Sequence, residues 1–164
     1  MSGNSLLVPV DKLVGYTGKE REFEGQRRVE LRLGESRVDG PMTVSGRVVG
    51  TTGGVNTHFK ASATVDLVCN RCLTTWSEAV TVNGSHHFGL EPDEDGYAIV
   101  DGHVDISGPA QDELALSLPA RPLCKEDCLG LCPTCGIDLN KGSCGGHGDD
   151  SDSPFAALKD LFDS

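Results

Sequence analysis

The chain lacks the segments that would place it in or across a membrane. Its 164 residues contain no uninterrupted apolar run that approaches the ~20 residues needed to span a bilayer. The first residues, MSGNSLLVPVDKL, hold no basic region followed by an apolar stretch, which a secretory signal would require. We therefore expect a soluble, cytoplasmic protein with no membrane partner.

Aromatic and basic residues are also scarce. Aromatic residues make up 5% of the chain and hydrophobic residues 37%, so apolar burial alone gives a thin core and a bound metal could supply part of the folding free energy. Fourteen Lys and Arg face 25 Asp and Glu, a net charge of -11, which disfavours a grip on nucleic acid through many phosphate contacts. The length indicates one domain of modest size.

The charges are unevenly distributed. Residues 91–113 carry eight acids and no Lys or Arg, so this stretch repels phosphate and suits either solvent or a basic protein. Residues 19–37 mix six basic residues with five glutamates. That mixture predicts a salt-bridged solvent face, with RNA binding as the open alternative.

Cysteine is abundant, with seven copies, six of them in closely spaced pairs. The pairs are Cys69 with Cys72, Cys124 with Cys128, and Cys132 with Cys135, and the seventh cysteine is Cys144. A two-residue gap points both sulfurs at one ion, and reduced cytoplasmic thiols favour metal ligation over disulfides. The Cys-Pro-Thr-Cys-Gly run at 132–136 is a strong zinc-knuckle signal.

Seven cysteines and His147 make eight ligands, enough for two four-ligand zinc sites. The favoured arrangement is Cys69, Cys72, Cys124 and Cys128 in one site and Cys132, Cys135, Cys144 and His147 in the other. A rival pairing places the C-x-x-C turns at 69/72 and 132/135 on one ion, as in a zinc ribbon. Cys144 and His147 also admit a reading without metal.

The hydrophobic pattern predicts an α+β, mainly β fold built on an antiparallel sheet. Apolar residues alternate over residues 57–69 and again over 76–88, which indicates a long hairpin with Cys69 and Cys72 at its tip. Residues 43–49 predict a further strand, and 97–106 a weaker one broken at Asp101-Gly102. A short helix is expected from Pro109 to Leu118, with Asp112 and Glu113 in its first turn.

The predicted organisation has three parts. Residues 1–123 form the β domain with its zinc-knuckle hairpin, and 124–147 form a cysteine-rich metal-binding segment packed on it. Residues 148–164 form a linker followed by an amphipathic helix that starts at Pro154. Zinc would then staple the hairpin tip to the C-terminal segment.

Complete cysteine-rich ligand sets indicate structural rather than catalytic zinc, because a catalytic site keeps one position open. The sequence contains no nucleophile elbow, phosphate-cradling glycine loop or H-E-x-x-H stretch. We expect no catalytic residues and no small-molecule substrate. Two other classes remain open, a zinc-ribbon regulator that binds DNA or the transcription machinery and an enzyme that depends on a reactive thiol.

Three motifs carry a family resemblance: residues 68–73 (VCNRCL), 123–140 (LCKEDCLGLCPTCGIDLN) and 154–161 (PFAALKDL). Their order and spacing resemble the bacterial YceD family, described as large ribosomal RNA subunit accumulation proteins, in its Gram-positive or actinobacterial form. The CGGH run at 144–147 differs from the Cys-x-Cys ending expected of a Gram-positive-type member. The resemblance covers the chain from about Val44 onward.

The resemblance implies a non-enzymatic cytoplasmic factor for ribosomal large-subunit biogenesis. Its partners would be the pre-ribosomal large subunit, ribosomal RNA or a basic ribosomal protein, and a small zinc-containing large-subunit protein is a candidate because its gene often adjoins those of the family. If RNA is bound, residues 41–87 are the least acidic region, and Arg71, Arg47 and Lys60 are the expected contacts, with Arg71 on phosphate.

Overall fold

The structure, a computed structural model, describes residues 6–147, which are mainly β with one short helix. The strands are β1 (Leu7–Pro9), β2 (Glu20–Leu33), β3 (Ser36–Gly50), β4 (Gly54–Val68), β5 (Thr75–Gly89) and β6 (His103–Asp105), and the helix is α1 (Ser107–Ser117). The predicted mainly β, antiparallel fold is confirmed. The predicted helix from Pro154 lies outside the described residues.

The predicted long hairpin consists of β4 and β5. The two strands pair antiparallel from Gly54↔Gly89 to Val68↔Thr75, and the cysteine turn closes the far end. Side chains alternate between the two faces of a strand, so the apolar residues at every second position of β4 all face the core. The buried residues on that face are Val55, Thr57, Phe59, Ala61, Ala63, Val65 and Leu67.

Strand β2 was missed by the sequence reasoning. It is the outer strand of a four-stranded sheet in the order β2-β3-β4-β5. Only Phe23, Val29 and Leu31 mark its inner face, so its alternation is weak among many charges. Arg28 and Arg37 each lie 2.6 Å from a carboxylate oxygen of Asp39 on the solvent side. A charged edge of this kind also discourages pairing with other chains.

One face of the large sheet is covered by segments that precede and follow its strands in the chain. The small sheet of β1 and β6 and the helix α1 pack over it, with α1 against β5, β4 and β2. The buried apolar side chains that this layer contributes are Leu6, Val8, Val10, Leu13, Val104, Ile106, Ala110, Leu114 and Leu118. The opposite face of the sheet is open to solvent along most of its length.

The helix begins two residues earlier than predicted. Because Ser107 starts α1, its first turn contains no acid, so the prediction that Asp112 and Glu113 occupy that turn was wrong. The start is fixed by Asp105, whose carboxylate accepts hydrogen bonds from the Ser107 backbone N–H (2.9 Å) and hydroxyl (2.6 Å). The 11-residue α1 ends where Leu118 turns extended before proline. Within residues 6–147 no helix has the length and apolarity to cross a bilayer.

The weak strand predicted over 97–106 is a tight hairpin. Asp101 and Gly102 both have positive φ (48° and 71°), and Val100 and His103 exchange two backbone hydrogen bonds of 2.9 Å. A two-residue turn with positive φ at both positions favours Asp-Gly, and its twist matches that of the flanking strands. The Asp-Gly pair thus forms the turn between Val100, an isolated bridge residue, and the start of β6.

Candidate metal centre

The first cysteine group, which we call the tip site, comprises Cys69, Cys72, Cys124 and Cys128. Its ligand atoms all lie within 4.8 Å of one another, with Sγ–Sγ distances of 3.7 Å (Cys69 to Cys128) and 3.5 Å (Cys72 to Cys124). A tetrahedral ion with ~2.3 Å bonds to sulfur requires separations of about 3.8 Å, whereas a disulfide is ~2.0 Å long. The spacing therefore suits four thiolates around one metal ion.

Both C-x-x-C turns have the same backbone hydrogen bonds. The N–H of Cys69 donates to the Thr74 carbonyl (2.9 Å) and the N–H of Leu73 to the Cys69 carbonyl (2.9 Å). The second turn repeats this pattern, from Cys132 to Ile137 (2.8 Å) and from Gly136 to Cys132 (2.9 Å). The residue after the second cysteine has positive φ in each turn, 59° at Leu73 and 71° at Gly136.

Three of the four tip-site ligands are buried, and Cys124 is exposed. Cys69, Cys72 and Cys128 expose 0%, 7% and 2% of their surface, and Leu123 and Leu131 pack around them. Trp76 contacts both this cluster and the main core, so the site is continuous with the fold. Trp76 therefore serves packing between the two clusters.

Three hydrogen bonds also tie the tip to the segment after α1. The Asn70 N–H donates to the Pro122 carbonyl (2.9 Å), and the Leu131 N–H donates to the Arg71 carbonyl (3.0 Å). The Arg71 guanidinium donates to the Cys128 carbonyl at 2.8 Å. Arg71 is therefore engaged with the cysteine segment, and its predicted phosphate contact stays a prediction.

The second group, which we call the loop site, comprises Cys132, Cys135, Cys144 and His147, whose ligand atoms also lie within 4.8 Å of one another. All four come from one local stretch of chain, in the pattern C-x2-C-x8-C-x2-H. Only Cys132 is buried, while Cys135 and His147 are exposed and Cys144 is intermediate. The loop site is thus a local and largely solvent-facing set of ligands.

Asn140, which sequence reasoning did not single out, connects the chain segment that carries the loop site to the tip site. Its side-chain N–H points at the Cys128 sulfur (3.4 Å), and its carbonyl accepts the Leu129 N–H (3.0 Å). Asp138 holds the same side chain at 2.8 Å. The D-x-N spacing at 138–140 is typical of a turn in which a carboxylate binds the backbone two residues on, and it was the available signal.

The surroundings of Cys69 and Cys132 favour thiolates. Burial alone raises the pKa of Cys69, but hydrogen bonds from the backbone of Cys124, Cys72 and Arg71 outweigh it and lower that pKa to about 6. Backbone N–H groups of Cys135 and Thr134 likewise lower the pKa of Cys132 to about 6. The neighbouring Cys72 sulfur raises the pKa of Cys124. Without a metal, one thiolate therefore opposes the ionisation of its neighbour. A bound cation would remove this opposition, because it stabilises several thiolates at once.

The donor sets suit zinc, which takes four sulfur or nitrogen ligands in closed structural sites. The two groups that the structure brings together have the same members as the favoured pairing from the sequence. The rival zinc-ribbon pairing, with Cys69, Cys72, Cys132 and Cys135 on one ion, is not brought together.

Arg47 and Lys60, the other predicted RNA contacts, lie far from the tip. They line an open groove of about 800 Å³ on the solvent face of the sheet, where Glu22 and Glu24 also lie. Lys60 is nine residues before Cys69 on β4, or about 30 Å along the strand. The structure therefore places the three basic residues in two places, and the groove that holds two of them carries both charge signs.

The chain from the long hairpin through both cysteine groups is similar to one known protein family. The model of the family described as "Large ribosomal RNA subunit accumulation protein YceD" matches residues 57–162. An uncharacterised protein of Mycobacterium tuberculosis is 38% identical over 80 residues, covering 43% of this chain and 38% of that protein. An uncharacterised Mycobacterium leprae protein is 30% identical over 145 residues, covering 82% of this chain and 65% of that protein. The chain thus spans less than two thirds of these curated relatives, and no solved structure matches it.

Proposed function

Because the chain belongs to the YceD family, we propose that it is a non-enzymatic factor for biogenesis of the large ribosomal subunit, needed for accumulation of its ribosomal RNA. The family match carries this proposal, since the matched residues include most of the long hairpin and both cysteine groups. The family description itself supports a ribosome-related role. The finer claims concern how the protein acts and through which partner.

We propose that zinc is the metal and that its role is structural. Each group offers four ligands, which leaves no open coordination position for substrate. Zinc in the tip site would fasten the β4–β5 hairpin, part of a β domain over 1–123, to the metal-binding segment 124–147. The protein would then act in the cytoplasm by binding, with its surface shape held by the metal.

The binding partner is ribosomal RNA or a basic ribosomal protein. The net charge of -11 supports a basic protein or an assembly intermediate more strongly than naked RNA. Contact with RNA through Arg47, Lys60 and Arg71 is the second candidate within the same role. The alternative zinc-ribbon regulator gains no support from the geometry, because the two C-x-x-C turns belong to different groups.

Depletion in the native host tests the role. We expect a fall in the ratio of mature large- to small-subunit ribosomal RNA that the parent protein restores and Cys69→Ser does not. Asn70→Ser, an exposed substitution in the same turn, is the matched control and should restore the ratio. An unchanged ratio on depletion would refute the biogenesis role.

A further inference from the structure

A groove of about 400 Å³ lies at the end of β5 remote from the tip site. Phe88, Tyr97 and Ala98 contribute apolar surface to it, and Val100 stands at its edge with 64% of its surface exposed. Single exposed apolar residues are ordinary on protein surfaces, but one beside an apolar groove is typical of a binding site. Leu90, close by in sequence to Phe88, is also 64% exposed.

The rim of this groove is acidic and only partly neutralised. Asp105 pairs with Arg27 at 3.2 Å, and Asp93, in the loop that leads to the groove, pairs with His86 at 2.7 Å. Asp101 lines the groove and makes no ion pair within residues 6–147. A carboxylate of Asp11 lies against Gly102, directly beside it. No Lys or Arg occurs anywhere in residues 91–113.

The groove is held in shape before any partner arrives. The hairpin at Asp101-Gly102 is closed by paired backbone bonds, as described above. The Asp93 carboxylate accepts the backbone N–H of Tyr97 (2.7 Å), which is the main cause of its lowered pKa, and also that of Asp95 (3.1 Å). The Tyr97 hydroxyl donates to Asp112 at 2.6 Å, and its ring packs on Gly108, where a Cβ would not fit. A preformed site binds at a smaller entropic cost.

We propose that this groove is a docking site for a basic protein segment that inserts one apolar side chain. The apolar surface beside Val100 would receive the anchor, and the Asp101 carboxylate would face a Lys or Arg next to it. The inference rests on the proposed function only in assigning that segment to a ribosomal protein. The groove's preference for a basic segment rests on its own geometry and charge.

Charge excludes the other occupants. Nucleic acid would meet a stretch that carries eight acids and no basic residue. A second copy of the chain would bring another net charge of -11. The chain's own residues 148–164 contain five Asp and one Lys, so they do not complement the rim either. A basic, partly apolar segment is the complementary ligand.

The test uses the full zinc-loaded chain and a fluorescent peptide in which a central leucine is flanked by three Lys or Arg on each side. Asp101→Asn removes the charge while Asn keeps the positive φ that the turn needs, and Val100→Thr removes apolar surface while keeping a β-branched strand residue. Glu35→Gln, an exposed acid in the Gly34-Glu35 turn, is the matched charge control. Anisotropy at several salt concentrations measures binding.

We expect Asp101→Asn and Val100→Thr each to weaken binding about fivefold or more, and Glu35→Gln to leave it unchanged. A peptide with serine in place of leucine should bind the parent more weakly than the leucine peptide does. Its affinity for Val100→Thr should equal its affinity for the parent. Equal losses for Asp101→Asn and Glu35→Gln would reduce the effect to overall charge and overturn the proposal. Binding of an RNA oligonucleotide in the groove, lost with Asp101→Asn, would also overturn it.

The depletion strain separates the two ideas. If depletion lowers the ribosomal RNA ratio and Val100→Thr with Asp101→Asn restores it fully, the groove is not the docking site but the biogenesis role stands. If depletion leaves the ratio unchanged while the peptide still binds as expected, the biogenesis role fails and the groove stands. The docking proposal predicts partial or no rescue by the double variant.

Discussion

The tip site and the loop site use the same C-x-x-C turn in very different surroundings. The tip site joins two segments more than 50 residues apart in sequence and sits under Leu123, Leu131 and Trp76. The loop site gathers ligands from residues 132–147 alone, and two of its four ligands are exposed. The turn supplies two ligands in each site, whereas burial and chain separation decide how much the fold depends on the metal.

The largest expected difference comes from removing one ligand from each site. Cys69→Ser should release metal from the tip site and destabilise the fold by several kcal/mol, because binding at a structural site is folding free energy and the site closes a long loop. Cys144→Ser should cost far less, since its site orders only a local loop. Metal-to-protein ratios and thermal unfolding measure both effects.

Thr75→Ser, an exposed change at the start of β5, is the control for introducing a serine near the tip. If Cys144→Ser destabilises the protein as much as Cys69→Ser, the fold does not depend more on the tip site than on the loop site. The comparison also fails if Cys69→Ser retains the parent's full metal content, which would remove Cys69 from the ligand set.

Chelation should reveal the same difference as a rate. Under excess EDTA we expect the loop site to lose its metal at least about tenfold faster than the tip site, because exposed ligands need only local opening. Alkylation read by mass spectrometry should then label Cys135 and Cys144 before Cys69, Cys72 and Cys128. Simultaneous labelling of all the cysteines would show that the two sites open as one unit.

Asn140 tests whether the sites are independent. Asn140→Ala removes an N–H donor to the Cys128 sulfur and the acceptor for the Leu129 N–H, so we expect a loss of about 1–2 kcal/mol in stability and faster metal release from the tip site. Asn140→Asp keeps the acceptor but places a carboxylate beside the thiolates, so it should release tip metal faster than Asn140→Ala. Release rates equal to the parent's for both variants would show that the contact with Cys128 does not stabilise the tip site.

The sequence predicted the parts of the molecule in which short-range pattern and final structure agree. The alternation over β4 and β5 and the spacing of the cysteines were enough for the hairpin and for the favoured ligand grouping. Strand β2 was missed because its inner face carries Gly25 and Arg27 as well as the apolar Phe23, Val29 and Leu31, so the apolar alternation is broken. An edge strand needs only some of its inward-facing residues to be apolar. Its strand character comes from pairing with β3, which no local pattern shows.

The candidate site was less predictable at its margins. Ligand spacing could not show that the Arg71 guanidinium would bind the Cys128 carbonyl, because that contact depends on how the tip meets a segment 57 residues away. The same holds for Asn140, which reaches Cys128 only after the loop closes on itself. Side chains that orient ligands are selected by tertiary geometry, and residue type alone gives them little signal.

The smallest expected effect concerns the residue after the second cysteine of each turn. Leu73 holds φ at 59° with 62% of its surface exposed, whereas Gly136 occupies the equivalent position without a Cβ. The left-handed conformation destabilises the folded state by ~1–2 kcal/mol for a leucine. Glycine avoids this strain, but its greater freedom in the unfolded chain offsets ~0.5–1 kcal/mol of the gain. Leu73→Gly should therefore stabilise the protein by about 0.5–1 kcal/mol, and Gly136→Ala should destabilise it by about 1 kcal/mol.

Leu73→Ala separates the causes, because it keeps the strained backbone and removes only the side chain. If Leu73→Ala stabilises as much as Leu73→Gly, exposure of the leucine and not its backbone is the cost, and the two turns are less alike than their hydrogen bonds indicate.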